Sequence, residues 1–401
     1  MTQVQHSKAS PEQPPDFSLV LGGPLFQLFR RARLTDDALT LTKQRTLVIV
    51  LLAWVPLLLL SSVDGDALTS AGRLPFLLDF DVHARFLVAL PLLVVAELVV
   101  HRRMRSIIQV FLERKLVPER GLPRFLAAVA SAFRLRNSLV AELVLIAVVY
   151  LFGIEIVWRQ LMSLKAETWY ATLNESGSKL SLAGIWYGYV SMPIFQFLLC
   201  RWYFRLFVWA RFLWHVSRIE LDLMPMHPDR LGGLGFLPNV VTAFTPLAAA
   251  HGALLAGVFA SRIFYANARL TDFKLEVGAL IALMLCFVFG PLLVFSPQLA
   301  GARRKALREY GTFAQGYVRA FERKWLRGDV PVDEQLLGTS DVQSLADLGS
   351  SFEVITDMRT LPVTKDAAFQ LVLVTVLPIV PLVLTMMPLE QLVKALFGLL
   401  F

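Results

Sequence analysis

Residues 46–62 read TLVIVLLAWVPLLLLSS, and no charged side chain interrupts them. A helix that crosses a bilayer needs about 20 mostly apolar residues, because each residue rises about 1.5 Å through a hydrocarbon core about 30 Å thick. Six further stretches of similar character follow. The seven predicted spans are Thr46–Ser62, Arg85–His101, Leu139–Trp158, Gly184–Phe204, Val240–Ser261, Leu275–Pro297 and Ala368–Pro388. The sequence therefore predicts an all-α, polytopic membrane helix bundle.

The composition agrees with this fold class. The chain has 401 residues, of which 56% are hydrophobic and 17% charged, and its mean hydropathy is +0.59. A soluble protein of this size typically carries about 25% charged residues. Cys200 and Cys286 both fall inside predicted spans, which argues against a disulfide framework and against a cysteine metal site. We therefore predict no metal and no cofactor.

The distribution of basic residues predicts the orientation of the chain. Residues 1–45, 101–138, 201–238 and 298–366 carry 30 of the 39 Lys and Arg side chains. The positive-inside rule places these segments and the N-terminus in the cytoplasm. The same rule explains the net charge of +8 without nucleic acid as a partner.

Four regions follow along the chain. Residues 1–45 form a cytoplasmic leader, in which Phe17–Phe29 and the arginines after it predict a helix on the membrane surface. Residues 46–297 form a six-helix transmembrane region with the cytoplasmic loops 101–138 and 201–238. Residues 298–366 follow as a cytoplasmic region. Residues 367–401 hold the last span and a tail, of which 389–401 either lies in the outer interface or continues the span.

Two apolar stripes predict a helical hairpin in residues 298–366. Each stripe repeats at three and four residues, which places it on one side of a helix, so two such helices bury each other's faces. The first stripe is Leu307, Tyr310, Ala314, Tyr317 and Phe321, and the second is Val342, Leu345, Leu348, Phe352 and Ile355.

The densest polar motif lies between the fourth and fifth spans, where residues 225–236 read PMHPDRLGGLGF. Glycines admit positive φ, so successive N–H groups can converge on an anion, and Arg230 adds a planar guanidinium. His227 and Asp229 are candidates for a base with its orienting acid, or for metal ligands. The candidate anion site consists of His227, Asp229, Arg230, Gly232 and Gly233. The alternative is a turn that only redirects the chain, in which Asp229 and Arg230 bond to loop backbone groups.

Ionisable side chains within the spans form a second candidate set. They are Glu97, Glu142, Arg201, Arg205 and His251. A charge inside the bilayer is costly and indicates function by default. Glu97 and Glu142 lie at the depth expected for the two arginines, so we predict Glu–Arg pairs that hold helices together. For His251 we predict a hydrogen bond to a neighbouring helix, with a proton-relay role as the alternative.

Two phrases in the second half of the chain are distinctive. They are L-x-P-x-HPDR-x-GGLGFL at Leu223–Leu237 and L-G-x-x-D-x-QSLADL at Leu337–Leu348. Together they resemble a family of bacterial multi-pass inner-membrane proteins without an assigned function. The likeness covers the region from the fourth span to the C-terminus. It implies a bacterial inner-membrane setting and no particular activity.

Three classes of function stay open at this point, including whether the chain is an enzyme. The interpretation that we prefer from the sequence is a channel or transporter for an ion or small solute, with the ionisable residues of the spans along a polar path. The second is a membrane-embedded enzyme or a lipid or phosphate binder built on the loop at His227. The third is a scaffold or sensor whose hairpin docks a cytosolic protein. Expected partners are membrane lipids, including anionic headgroups, and either a cytosolic protein or a second copy of the chain.

Overall fold

The computed structural model shows a helix bundle with one small β-hairpin. It describes residues 17–23, 27, 41–68, 74–153, 155, 168–174, 177–328 and 340–386, without the side chains of 172–179. The helices are α1 Thr42–Val63, α2 Phe80–Glu113, α3 Leu122–Arg136, α4 Leu139–Val148, α5 Leu182–Val216, α6 Pro238–Ala266, α7 Lys274–Phe289, α8 Ser296–Trp325, α9 Ser340–Thr356 and α10 Lys365–Val376. The strands are β1 Ala171–Asn174 and β2 Gly177–Leu180. The predicted all-α polytopic fold class is confirmed.

Six of the described helices are long and apolar enough to cross a membrane. They are Thr42–Val63, Phe80–Glu113, Leu182–Val216, Pro238–Ala266, Leu270–Trp325 and Lys365–Met386. A seventh span arises if Glu119–Arg136 and Leu139–Gly153, which meet at 47°, are taken together. The protein is therefore an integral, multi-pass membrane protein, and within the described residues the predicted spans lie on these helices.

The first span shows how each helix divides its surface between protein and lipid. Its buried residues recur every three or four positions, which places them on one side of the helix. They are Thr42, Arg45, Ile49, Ala53, Leu57 and Ser61. Leucines such as Leu47 and Leu59 are exposed on the remaining surface. Such an exposed apolar surface fits lipid as its solvent.

The longest helical run extends beyond the bilayer. It consists of a 3₁₀ turn, α7, a 3₁₀ stretch at Gly290–Phe295 and α8, and it spans 56 residues from Leu270 to Trp325. At about 1.5 Å per residue this is roughly 84 Å, against a hydrocarbon core of about 30 Å. Helix α8 therefore leaves the membrane. We call the side on which it lies the hairpin side and the opposite side, which carries β1 and β2, the strand side.

Helices α8 and α9 form an antiparallel hairpin. Near its tip, Lys324 Nζ lies 2.8 Å from Asp341 Oδ2, and Trp325 Nε1 donates to the same oxygen at 3.1 Å. Near its root, Arg303 Nη2 donates to the carbonyl oxygen of Thr356 at 2.6 Å. The connecting residues 329–339 lie outside the described part of the chain, as do the whole predicted tail 389–401 and most of the predicted leader.

The prediction of a surface helix over Phe17–Phe29 is wrong for residues 17–23; Gln27 is helical, and residues 24–26, 28 and 29 lie outside the described part of the chain. Residues 17–23 are not helical, and Phe17 is fully buried beside the rings of Phe133, Trp209 and Phe212. The Ser18 hydroxyl accepts hydrogen bonds from the N–H groups of Val20 and Leu21. The Phe17 ring buries more apolar surface between α3 and α5 than it would on the membrane surface, which favours insertion over an interfacial helix.

Candidate functional site

Glu97 lies at the centre of a buried group of charges. Its Oε2 atom is 2.6 Å from Arg45 Nη2, and its Oε1 atom is 2.6 Å from Arg205 Nη2 and 3.6 Å from Arg201 Nη1. Arg201 Nη2 is also 3.5 Å from Glu142 Oε1. We call these five residues the charge cluster. The predicted Glu–Arg pairing is confirmed, and Arg45 is a partner that the sequence analysis did not identify.

The charge cluster joins four helices that are separate in sequence. Arg45 lies on α1, Glu97 on α2, Glu142 on α4, and Arg201 and Arg205 on α5. All five side chains are less than a tenth exposed. Three guanidinium groups face two carboxylates, so the cluster carries a formal charge of +1. Each charge has an opposite charge beside it, which is what makes burial of the group tolerable.

His251 lies apart from the charge cluster and bonds a neighbouring helix. Its Nδ1 atom is 2.8 Å from the carbonyl oxygen of Leu247, which can only accept a hydrogen bond, so Nδ1 carries the proton. Its Nε2 atom then accepts from the Tyr203 hydroxyl of α5 at 2.8 Å. The predicted hydrogen bond to a neighbouring helix is confirmed.

Small residues on α6 let other helices approach closely. A Cβ atom on Gly252 would collide with the carbonyl oxygen of Thr375 on α10, and one on Gly257 would collide with Ala84 on α2. His251 therefore lies in one of the most tightly packed parts of the bundle. Two hydrogen bonds and close packing favour a structural role for this side chain.

Asp229 organises the glycine-rich loop on the hairpin side. Its Oδ1 atom accepts from the N–H groups of Leu231 at 2.8 Å and Gly233 at 3.1 Å, and its Oδ2 atom accepts from Gly235 at 2.8 Å. Partial burial acts to raise the pKa of Asp229, but these three donors outweigh it and hold the pKa below its ordinary value. The converging N–H groups that the sequence predicted are present, and the anion they surround is the carboxylate of the loop itself.

The remaining residues of the loop have local or structural partners. Arg230, Gly232 and Gly233 have positive φ of 55°, 62° and 98°, a conformation that glycine adopts without strain. His227 Nδ1 lies 3.0 Å from Asp229 Oδ1 and 3.2 Å from the backbone nitrogen of Asp229. Arg230 Nη1 lies 3.0 Å from Asp357 Oδ2. These contacts favour the turn over a site for an external anion, because such an anion would have to displace Asp229.

The loop also joins the membrane helices to the hairpin. Arg114, just after α2, donates from Nη1 to the carbonyl oxygen of Gly233 at 2.8 Å. Arg359, just after α9, donates its backbone N–H to the carbonyl oxygen of Arg230 at 2.8 Å. We call residues 225–236 the junction loop. Sequence reasoning found its residues but did not predict this role, since a glycine-rich stretch does not indicate what packs against it.

The candidate residues thus fall into three separate groups: the charge cluster, His251 with Tyr203, and the junction loop. Within the described part of the chain, no three His, Cys, Asp or Glu side chains are grouped so that they could hold a metal ion. Comparison of the chain with protein-family models, with curated proteins and with solved structures finds no match.

Proposed function

We propose that this integral membrane protein is a scaffold, anchored in a bacterial inner membrane, that presents the hairpin of α8 and α9 to a cytoplasmic protein. The observation that carries the proposal is the way the hairpin is attached: hydrogen bonds and an ion pair fix its root to the bundle. A flexible tether would suffice for a soluble domain that acts independently of the membrane. A fixed root instead holds the surface of the hairpin at a defined position and orientation.

Both arms of the hairpin are fixed. Gln298 Nε2 on α8 donates to the carbonyl oxygens of Ser217 at 2.6 Å and Ile219 at 2.7 Å, at the end of α5. The residues after α9 contact the junction loop through Arg230. Helix α8 has 30 residues and is therefore about 45 Å long. The arm thus carries a surface far from the membrane without losing its orientation.

The outer face of α8 supplies a surface for a partner. Helical geometry places the apolar stripe that includes Tyr317 toward α9 and an exposed row of basic side chains on the opposite side. We call this row, together with Phe313 at its edge between the row and the apolar stripe, the basic face: Lys305, Arg308, Phe313, Arg319 and Arg323. Phe313 is 63% exposed although it lies on a helix outside the bilayer. An exposed aromatic ring at the edge of a row of arginines is typical of binding hot spots, and the charge selects an acidic partner surface.

The transport interpretation receives less support. A polar path would need water around the carboxylates of the spans, whereas Glu97 and Glu142 are buried against arginines. Three cavities, which open beside Trp214, His215 and Gln298, are not lined by either carboxylate. The loop-based enzyme or anion-site interpretation is also weaker, because the Asp229 carboxylate already accepts three backbone hydrogen bonds.

The proposal is tested by photocrosslinking in cells. A benzophenone amino acid at position 313 is expected to give one dominant crosslinked protein. Charge reversal by Arg319→Glu with Arg323→Glu is expected to reduce that product several-fold, because electrostatic complementarity guides the encounter. Arg124→Glu with Arg134→Glu is the matched control, since both positions are exposed, the change in charge is the same, and they lie on α3 and not on the hairpin.

Two results would overturn the scaffold. One is the absence of any crosslinked protein at position 313. The other is a crosslinked product whose yield falls equally with the control reversal on α3 and with the double reversal on α8, which would indicate a general effect of charge rather than recognition by the basic face.

A further inference from the structure

An apolar groove of about 760 Å³ lies between α5 and the end of α7. Phe207, Arg211 and Trp214 line one side, and Phe287, Gly290 and Pro291 line the other. Phe207 and Trp214 are each about half exposed, so the groove opens to the surroundings of the bundle. Its volume falls within the range of roughly 300–1,000 Å³ that is typical of ligand pockets.

The sequence of the α7 end creates the groove. At Gly290 the helix gives way to a 3₁₀ stretch, Gly290–Phe295, with Pro291 in its first turn. A Cβ atom built on Gly290 would meet only the Sγ atom of Cys286, at 3.9 Å. The missing side chain therefore leaves open space facing α5. Both walls are apolar except at one end, where Arg211 lies.

Arg211 places a positive charge at the end of the groove nearest the hairpin side. It lies six residues after Arg205 on α5, or about 9 Å further along the helix axis. Among the residues that the structure describes, Arg211 makes no ion pair and no hydrogen bond. The adjacent Trp214 ring is covered by the guanidinium of Arg218 at 4.1 Å, an arrangement suited to the headgroup boundary, where tryptophan is enriched.

We propose that this groove binds an anionic glycerophospholipid of the leaflet on the hairpin side. The apolar walls accommodate an acyl chain, and the Arg211 guanidinium donates to the headgroup phosphate, for which its planar fork is well suited. A leaflet rich in anionic lipid lies beside the basic segments of a positive-inside protein. The groove is separate from the basic face of α8, so the lipid-binding proposal does not depend on the scaffold function.

Quenching of tryptophan fluorescence by brominated acyl chains tests the proposal. The full-length protein is placed in phosphatidylcholine nanodiscs that contain a minor fraction of either brominated phosphatidylglycerol or brominated phosphatidylcholine. We expect stronger quenching by the brominated phosphatidylglycerol, and we expect Trp214→Phe to remove most of the difference. Arg211→Gln should weaken the preference for phosphatidylglycerol about fivefold, as expected for one arginine near an anionic surface.

Filling the groove provides a second, independent variant. Gly290→Leu places a side chain in the open space and should abolish the preference, whereas Gly278→Leu on the same helix, where a Cβ atom also has open space, should not. Melting temperatures of both variants establish that they fold. Equal quenching by the two lipids in the wild type would overturn the proposal. So would native mass spectrometry showing a dimer that Gly290→Leu dissociates, because a second copy would then occupy the groove.

Discussion

The Nη2 atom of Arg205 lies 2.6 Å from the Oε1 atom of Glu97, and both residues are buried. The same carboxylate faces Arg45 and Arg201, so one negative charge is shared by three positive ones. Glu97→Gln keeps the shape of the side chain but leaves Glu142 as the one carboxylate of the charge cluster, against three buried guanidinium groups. We expect it to destabilise the protein by about 3–5 kcal/mol, measured by unfolding in detergent.

Glu220→Gln is the matched control for that experiment. Glu220 Oε2 lies 2.8 Å from Arg120 Nη2, but both side chains are largely exposed. Removing an exposed pair changes stability by about 0–1 kcal/mol. If Glu97→Gln and Glu220→Gln unfold alike, the charge cluster does not hold the helices together.

Asp229→Asn should loosen the junction loop. The aspartate carboxylate has two acceptor oxygens, whereas asparagine has one acceptor oxygen and one NH₂ donor. At least one backbone N–H group of the loop would therefore face another donor in the variant. We expect faster hydrogen exchange at the amide of Gly235, which donates to the carboxylate. We also expect it at the amide of Arg359, just after α9, because this amide donates to the carbonyl oxygen of Arg230 in the same loop. Arg230→Gln removes only a half-exposed ion pair with Asp357 and should leave both amides protected. Unchanged exchange in Asp229→Asn would contradict the role of Asp229 as the organiser of the loop.

The same carboxylate gives the loop a defined pH dependence. The pKa of Asp229 is lower in the folded protein than in the unfolded chain, where it is about 3.9. Its contribution to stability is therefore complete above that ordinary value, and it is lost as the pH falls through the lower folded pKa. We expect the protection of Gly233 and Gly235, corrected for intrinsic exchange, to stay constant from neutral pH down to about pH 5 and to fall in stronger acid. The fall should be absent from Asp229→Asn.

The spans and their charge pairs could be predicted because both follow from local rules. A run of apolar residues has few stable alternatives to crossing the bilayer, and carboxylates at the depth of arginines have few other partners there. Arg45 escaped prediction because it precedes the apolar run that begins at Thr46, although α1 begins at Thr42 and includes it. Extending each span by one helical turn in the search for partners would have found it.

The contacts of the junction loop could not be predicted, because they depend on tertiary packing. The sequence shows that Gly232 and Gly233 permit unusual backbone conformations, but not that Asp229 fills the resulting ring of N–H groups. The insertion of Phe17 between α3 and α5 could not be predicted for a similar reason. An apolar stretch before arginines fits a helix on the membrane surface as well as it fits insertion into the bundle. The short β-hairpin on the strand side was not predicted either, because four-residue strands in a polar connection carry little periodic signal.

Two apolar residues of α9 differ in how deeply they are buried in the hairpin. Ile355 is fully buried, so Ile355→Ala should cost about 2–5 kcal/mol. Leu348, on the same predicted stripe, is only partly buried, so Leu348→Ala should cost clearly less. Hydrogen exchange across Ser340–Thr356 measures both effects. A larger loss of protection for Leu348→Ala than for Ile355→Ala would contradict the observed packing of α9.

The orientation of the chain is predicted from charge, and cysteine labelling tests it. Thirty of 39 basic residues belong to segments predicted to face the cytoplasm, and the hairpin is one of them. In a chain without Cys200 and Cys286, a new cysteine is introduced either by Ser340→Cys on the hairpin side or by Ala266→Cys at the strand-side end of α6. A maleimide that does not cross membranes should label Ala266→Cys in intact cells, and Ser340→Cys only after permeabilisation. Both positions are exposed, so access to the reagent is limited by the membrane and not by protein packing. Strong labelling of Ser340→Cys in intact cells would place the hairpin outside the cell. That result would contradict both the predicted topology and the proposal of a scaffold for a cytoplasmic protein.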